Sequence, residues 1–315
     1  MRKYPPYKTD STWIVSKRGP KNPVDPFIPV NFFVEKELTA RGHVEDVATI
    51  FLTNRECPFH CLMCDLWKNT TDKPVPEGAI PAQIEYALSR LPETKHLKLY
   101  NSGSFFDPQA IPVNDYPEIS RLIKHFETVL VESHPAFINE NTLYFNKLIH
   151  AELQVAIGLE TVHPEVLPRL NKKMTLQDFE KSVQFLLSQG IGTRAFILLR
   201  PPFLSEEEGI FWAEKSIVHA FGTGVKTCVI IPVRQGNGAL DTLKEEGFFS
   251  PPDIISLEKV LEYGITLKLG NVLADLWDLD RFSSCTRCLN TRKERLHKMN
   301  LYQKILPPVH CSCTG

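Results

Sequence analysis

Six short, mostly apolar runs constrain what this chain can fold into: ATIFLT (48–53), HLKLY (96–100), TVLVES (128–133), LQVAIGLE (153–160), TRAFILLR (193–200) and KTCVIIPV (226–233). Each has the length and residue types of a buried strand. Between them apolar residues return at helical spacing, as Ile84, Ala87, Leu88 and Leu91, as Ile119, Leu122, Ile123 and Phe126, and as Phe179, Val183 and Leu186. Each such stripe can cover one face of a sheet. Ser205 with Glu208 makes a capping box ahead of Ile210, Phe211, Ala213 and Ile217, which starts a helix directly after the fifth run. Strands alternating with helices pair in parallel through right-handed crossovers, and six units suit an open doubly wound sheet or a partial barrel. Both place ligands at the carboxyl ends of the strands, which directs attention to the loops after residues 53, 100, 133, 160, 200 and 233.

The rest of the chain is arranged around this α/β unit, which is expected over residues 46–270. Residues 1–45, with Pro5, Pro6, Pro20, Pro23, Pro26 and Pro29, read as an irregular N-terminal segment, and residues 271–315 as a small Cys-rich extension. With 315 residues, 43% hydrophobic and 23% charged, the chain has the composition of a globular protein with a sizeable core. The opening MRKYPPYKTD has no apolar stretch of the secretory kind, and AFILL (195–199) falls far short of the about 20 residues that span a bilayer. A cytoplasmic protein without membrane contact is expected. The 36 basic and 37 acidic residues leave a net charge of −1, so contact with nucleic acid has to be local.

Eight cysteines would make a thin disulfide framework, and seven of them crowd into two short stretches, which in a reducing compartment points to metal. In NRECPFHCLMCDLW (54–67), Cys57, Cys61 and Cys64 follow the first run in a Cys-x3-Cys-x2-Cys pattern. Three thiolates so spaced bind three irons of a [4Fe-4S] cubane and leave the fourth without a protein ligand. The amino and carboxylate groups of S-adenosylmethionine can fill that corner, and an electron from the cluster then breaks the sulfonium C5′–S bond and releases a 5′-deoxyadenosyl radical. The competing readings are buried structural cysteines and a zinc site completed by His60 or a distant residue. Cys228, alone in mid-strand, reads as a core residue.

The triad beyond a first strand resembles the radical S-adenosylmethionine superfamily, and more narrowly the branch holding the elongator catalytic subunit and the archaeosine-biosynthesis radical enzyme RaSEA. The likeness spans roughly residues 48–260. YNSGSFFDP (100–108) stands where many members carry Gly-Gly-Glu and is similar to the Ser-Gly-Ser-Phe run of RaSEA-like sequences. VESHP (131–135), GLET (158–161), LLRPPFLSEEE (198–208) and IIPVRQGNG (230–238) are similar to the branch as well. The resemblance implies a partial (β/α)6 barrel of the radical S-adenosylmethionine type. It places Ser102, Gly103 and Ser104 at the cofactor's methionyl amine, Glu132 and Glu160 on the cofactor side with Glu160 at the ribose, and Arg200 at the cofactor carboxylate or an anionic substrate. Against these stand a plain turn at 102–104, helix-capping or ion-paired roles for the two glutamates, and an Arg200 that braces Glu206 to Glu208 of the next helix. Gln235 is a further candidate to face substrate.

Cys285-x2-Cys288 and Cys311-x-Cys313 supply a second set of four thiolates, enough for a structural zinc ion or a fully ligated auxiliary iron–sulfur cluster. Arg287, Arg292, Lys293, Arg295 and Lys298 lie between the pairs. They read as a solvated helix face or, on a metal-ordered knob, as a grip for phosphates. The resemblance implies an enzyme that cleaves S-adenosylmethionine for tRNA base modification of the 7-deazaguanine, archaeosine type, with a donor such as ferredoxin or flavodoxin. The alternatives are a radical enzyme acting on a small metabolite or peptide, and a non-catalytic, metal-stabilised RNA-binding module.

Overall fold

The structure, a computed structural model, describes residues 3–312; Cys313 of the second cysteine set lies outside the described residues. All six anticipated strands form, as β2 (Val44–Leu52), β3 (His96–Asn101), β4 (Thr128–Glu132), β5 (Glu152–Glu160), β6 (Gly192–Leu199) and β7 (Thr227–Pro232). Two more flank them, β1 (Asn31–Leu38) and β8 (Asn271–Ala274). The sheet runs β1 to β8 in sequence order, with β1 antiparallel to β2 and every later pair parallel. α1 (Ser11–Ser16) precedes β1, α2 (Ala79–Leu88) follows β2, α3 (Tyr116–Leu122) follows β3 and α4 (Glu140–Leu148) follows β4. α5 (Val166–Arg169) and α6 (Leu176–Ser188) follow β5, α7 (Glu206–Gly222) follows β6, α8 (Ala239–Glu245) and α9 (Ile254–Leu267) follow β7, and α10 (Thr286–Tyr302) follows β8.

Two sequence expectations need correction. The N-terminal segment is not irregular throughout, because the last of its prolines is Pro29 and Asn31–Leu38 is then free to pair with β2. The division after residue 270 also cuts through the sheet, since β8 pairs with β7. Only the part beyond it is an extension.

The alternation along the strands sorts the two faces of the sheet. Ile50, Leu99, Val131, Val155, Ile157, Ile197 and Ile230 are buried in the main core with residues of the outer helices, and Cys228 joins them. Burying one such Leu, Ile or Val side chain stabilises by ~1.5–3 kcal/mol. The alternate positions face inward, and there Glu37 on β1 accepts from Lys98 on β3 at 2.6 Å and from Arg194 on β6 at 2.7 Å. Strands β1 and β6 are five steps apart, about 24 Å in a flat sheet at the usual spacing, so the bond to Arg194 requires the sheet to curl into a partial barrel.

α10 packs against both sheet edges, β1 and β8. Its Asn300 side chain accepts from Ala274 N and donates to Ala274 O, both at 2.8 Å, and Gln303 does the same with Val272, again at 2.8 Å. At the start of α7 the expected capping box forms: Ser205 Oγ accepts from Glu208 N at 3.2 Å and Glu208 Oε2 from Ser205 N at 2.9 Å. Among the described residues no helix is long and apolar enough to cross a membrane.

Candidate active site

Cys57, Cys61 and Cys64 occupy the loop leaving β2, which is held in place by its own Asn54 and by the side-chain amides of Asn171 and Asn237 from two other loops. Asn54 donates to Ser102 O at 3.0 Å and accepts from Ser102 N at 3.1 Å, which ties the triad loop to the loop after β3. Asn171 donates to His60 O at 2.7 Å, and Asn237 donates to Leu62 O at 2.8 Å and Cys64 O at 3.2 Å. The Phe59 N–H is directed at the Cys57 sulfur and the Leu66 N–H at the Cys64 sulfur. Burial pushes each of the three thiols up to about 12. A metal that takes them as thiolates therefore has to displace their protons. The His60 imidazole stands 3.8 Å from the Glu56 carboxylate.

Gly103 closes on the triad from the second loop. Its φ of +121° is open only to glycine, and a Cβ there would lie 3.0 Å from the Cys57 Cβ and 3.2 Å from its sulfur. Bare backbone beside a cysteine is what a cluster with a small polar ligand needs. On either side, Ser102 is fixed through its backbone by Asn54, and Ser104 Oγ accepts from His134 N at 2.9 Å. Next to them Asn101 is only 3% exposed, yet neither its side-chain nitrogen nor its oxygen has a partner. An orphan amide at this place fits a polar group brought in by a cofactor.

The two glutamates come to the same end of the barrel and differ in environment. Glu132 accepts from Asn101 N at 2.9 Å, and its desolvated surroundings push the carboxyl up to about 8. Glu160 sits on a register shift in β5 with φ +66°, so a bulge re-aims it. Its carboxylate accepts from the buried ammonium of Lys172. Burial alone would lower the Lys172 pKa; Glu160 and the Cys61 and Cys57 sulfurs outweigh that and hold it above its ordinary value. Gly158 makes room, because a Cβ at that position would collide with both charged groups. His134 accepts from Ala136 N through Nδ1 at 3.1 Å, so its Nε2–H donates to Lys172 O at 2.9 Å. Its ring stacks on Phe59 of the triad loop at 3.9 Å between centroids.

Arg200 takes the other of its two sequence readings. Its guanidinium is bonded to Glu206 at the start of α7 and to Pro251 O at 2.8 Å, a bracing set rather than a ligand site. Gln235 accepts from Lys244 at 2.6 Å. Lys172, Asn54, Asn171, Asn237 and His134 escaped the sequence reading. For Lys172 the only trace was its place in NKK, a turn that follows the fourth apolar run and α5.

In the tail, the sulfurs of Cys285, Cys288 and Cys311 lie within 4.8 Å of one another, and those of Cys285 and Cys311 are 3.8 Å apart. Two thiolates on one tetrahedral zinc, with bonds of about 2.3 Å, stand about 3.8 Å apart. Sulfurs on separate irons of a cubane stand farther apart. Two of the residues read as a solvated helix face or a phosphate grip, Arg292 and Arg295, form neither, because the fold uses their charges internally. Arg292 and Arg295 are buried and bonded to Glu258 and Glu262 of α9 and to the carbonyls of Val309, Pro307 and Leu306. Lys293 pairs with Asp280 at 2.7 Å, Lys298 with Glu294 at 2.7 Å, and Arg287 donates to Ser312 Oγ at 2.8 Å.

No protein-family model matches the chain. It is 23% identical to an uncharacterized protein of Methanocaldococcus jannaschii over 90% of this chain and 84% of that one. It is 26% identical to archaeosine synthase subunit beta of Methanosarcina acetivorans over 64% of this chain, and the match spans 60% of that subunit's length. Among solved structures, Elp3 of the archaeon Methanocaldococcus infernus, with its N-terminus deleted, superposes with a TM-score of 0.51 at 17% identity, over 70% of this chain and 58% of that one. Its likeness is one of fold. The chain is thus similar in sequence to archaeosine synthase beta subunits and in fold to Elp3, and it carries a cysteine triad on the loop leaving β2 of a curled, mostly parallel sheet.

Proposed function

We propose that the chain holds a [4Fe-4S] cluster on Cys57, Cys61 and Cys64, binds S-adenosylmethionine beside it, and modifies a 7-deazaguanine-type base in transfer RNA. Bound there, the cluster with its open iron would supply the electron that splits the sulfonium and yields a 5′-deoxyadenosyl radical. The rest is the work of the protein's own groups. Gly103 brings backbone to the triad without a side chain in the way. Glu132, protonated at neutral pH, can donate a hydrogen bond to a cofactor oxygen, and Glu160, pinned by Lys172, keeps lone pairs for ribose hydroxyls. Electrons would come from a ferredoxin or flavodoxin in the cytoplasm, and the tail thiolates, Cys313 included, would hold zinc.

The observation that carries this reading is the triad loop itself, fixed from three sides by Asn54, Asn171 and Asn237. Anaerobic reconstitution tests it. A brown, iron-loaded protein that forms 5′-deoxyadenosine on reduction, with both properties lost in Cys61→Ala, is expected. A colourless protein that leaves S-adenosylmethionine intact overturns it. The RNA substrate is checked by comparing tRNA nucleosides from cells with and without the gene; identical nucleosides exclude it.

A further inference from the structure

Aromatic rings run from the lumen of the barrel out to its surface. Phe196 on β6 lies 6.3 Å from Tyr100 on β3 between ring centroids, Tyr100 lies 5.6 Å from Phe51 on β2, and Phe51 lies 6.1 Å from Phe33 on β1. Trp277, in the loop after β8, then lies over Phe33 at 6.1 Å with the planes 26° apart. The four inner rings project inside the curled sheet yet are only half-buried. Each keeps part of its surface accessible. Because β1 is antiparallel, Phe33 near its start pairs next to the carboxyl end of β2, the end from which the triad loop leaves.

Trp277 is 54% exposed although its loop is firmly held. The Trp277 backbone N–H donates to Asp275 Oδ1 at 3.0 Å, its backbone carbonyl accepts from Arg234 at 2.6 Å, and Arg234 also binds Asp275 Oδ2 at 2.6 Å. A large indole displayed on a fixed loop, backed on one face by a phenyl ring, is a platform for another flat ring. Sequence-tolerant stacking of this kind is how proteins hold unpaired bases. An aliphatic substrate would leave these ring faces without a matching surface.

We propose that Trp277 is a substrate-stacking residue: its indole, with Phe33 behind it, receives an unpaired nucleobase of an RNA at the mouth of the lumen, toward the triad. This rests on the RNA-base reading above. A base in a duplex cannot reach the lumen, so the base would have to leave its stack first. Trp277 has no part in S-adenosylmethionine chemistry on this account; it orients the ring that is to be attacked.

The test uses the full-length reconstituted protein with two probes, a transfer-RNA transcript and the free nucleoside 7-deazaguanosine. Indole emission should be quenched by both, and in Trp277→Phe the quench should largely vanish, leaving the background of Trp13, Trp67 and Trp212. Affinity for the transcript should fall about tenfold or more in Trp277→Ala and clearly less in Trp277→Phe, which keeps a stacking ring. Full quenching in Trp277→Phe, equal affinity in Trp277→Ala, or no binding of either probe to the wild type would overturn the proposal. RNA binding retained by Trp277→Ala removes the stacking role and leaves the RNA reading standing. Formation of 5′-deoxyadenosine by the wild type without RNA reports on the radical chemistry separately.

Discussion

Lys172 and Glu160 meet as a buried ion pair above Gly158, and the same ammonium lies within electrostatic reach of the Cys61 and Cys57 sulfurs. The pair thus couples the bulge in β5 to the loop that leaves β2. Taking away one member of such a pair leaves an uncompensated buried charge, which costs ~3–5 kcal/mol, whereas removing both costs much less. Lys172→Met should therefore lower the unfolding free energy of the metal-free chain, read from urea melts, by that order and reduce iron uptake. The double change with Glu160→Gln should recover at least half of the lost stability. Equal midpoints for Lys172→Met and wild type would show that Glu160 does not depend on Lys172 for its burial.

Gly103 faces two penalties at once, a left-handed φ and a 3.0 Å approach to Cys57. Gly103→Ala should destabilise by ~1–3 kcal/mol and displace Cys57, so iron per chain after reconstitution should drop well below wild type. Ser102→Ala, whose loop is held through backbone atoms by Asn54, should keep wild-type iron.

The Glu132 carboxyl sits at about 8 in the folded chain against 4.5 unfolded. Because the folded value is the higher one, the folded state is favoured most below pH 4.5 and loses that advantage as pH rises through about 8. Glu132→Gln does not titrate and keeps an oxygen to accept from Asn101 N. The stability of the wild type relative to this variant should fall by ~2–4 kcal/mol between pH 5 and 8.5, at 1.36 kcal/mol per unit. Parallel pH profiles from denaturant unfolding of the metal-free proteins would refute the assignment.

Elemental analysis decides the tail. Cys288→Ser should lose about one zinc per chain while the brown colour of the triad cluster persists, and the protein should melt at a lower temperature because the segment around Cys311 is then tied to α10 only by hydrogen bonds such as Arg287–Ser312 and Arg292–Val309. Iron lost with Cys288→Ser would instead place an auxiliary cluster there.

What was legible in the sequence follows from how each residue is used. The six runs from 48 to 233 could be seen because one face of each is buried under helices and reads as Val, Ile and Leu. β1 was hidden because two of its inward residues, Glu35 and Glu37, are charges that meet Lys98 and Arg194 in the lumen and cut its apolar run to Phe32–Phe33–Val34. β8 was hidden by its length of four residues. The triad announced itself through covalent spacing, but its supports come from Asn54, Asn171 and Asn237, single amides far apart in the chain whose role exists only after folding. The basic tail misled for a related reason: charge in a sequence says nothing of whether a carboxylate such as Glu258 waits for it inside.

The twin amide clasps of Asn300 and Gln303 on β8 have a consequence for the company this protein keeps. By mimicking one more strand, they use up the backbone groups through which an exposed border of sheet recruits a second molecule. The terminal helix thereby guards against self-templated assembly, and a chain shortened ahead of residue 300 would carry an open seam.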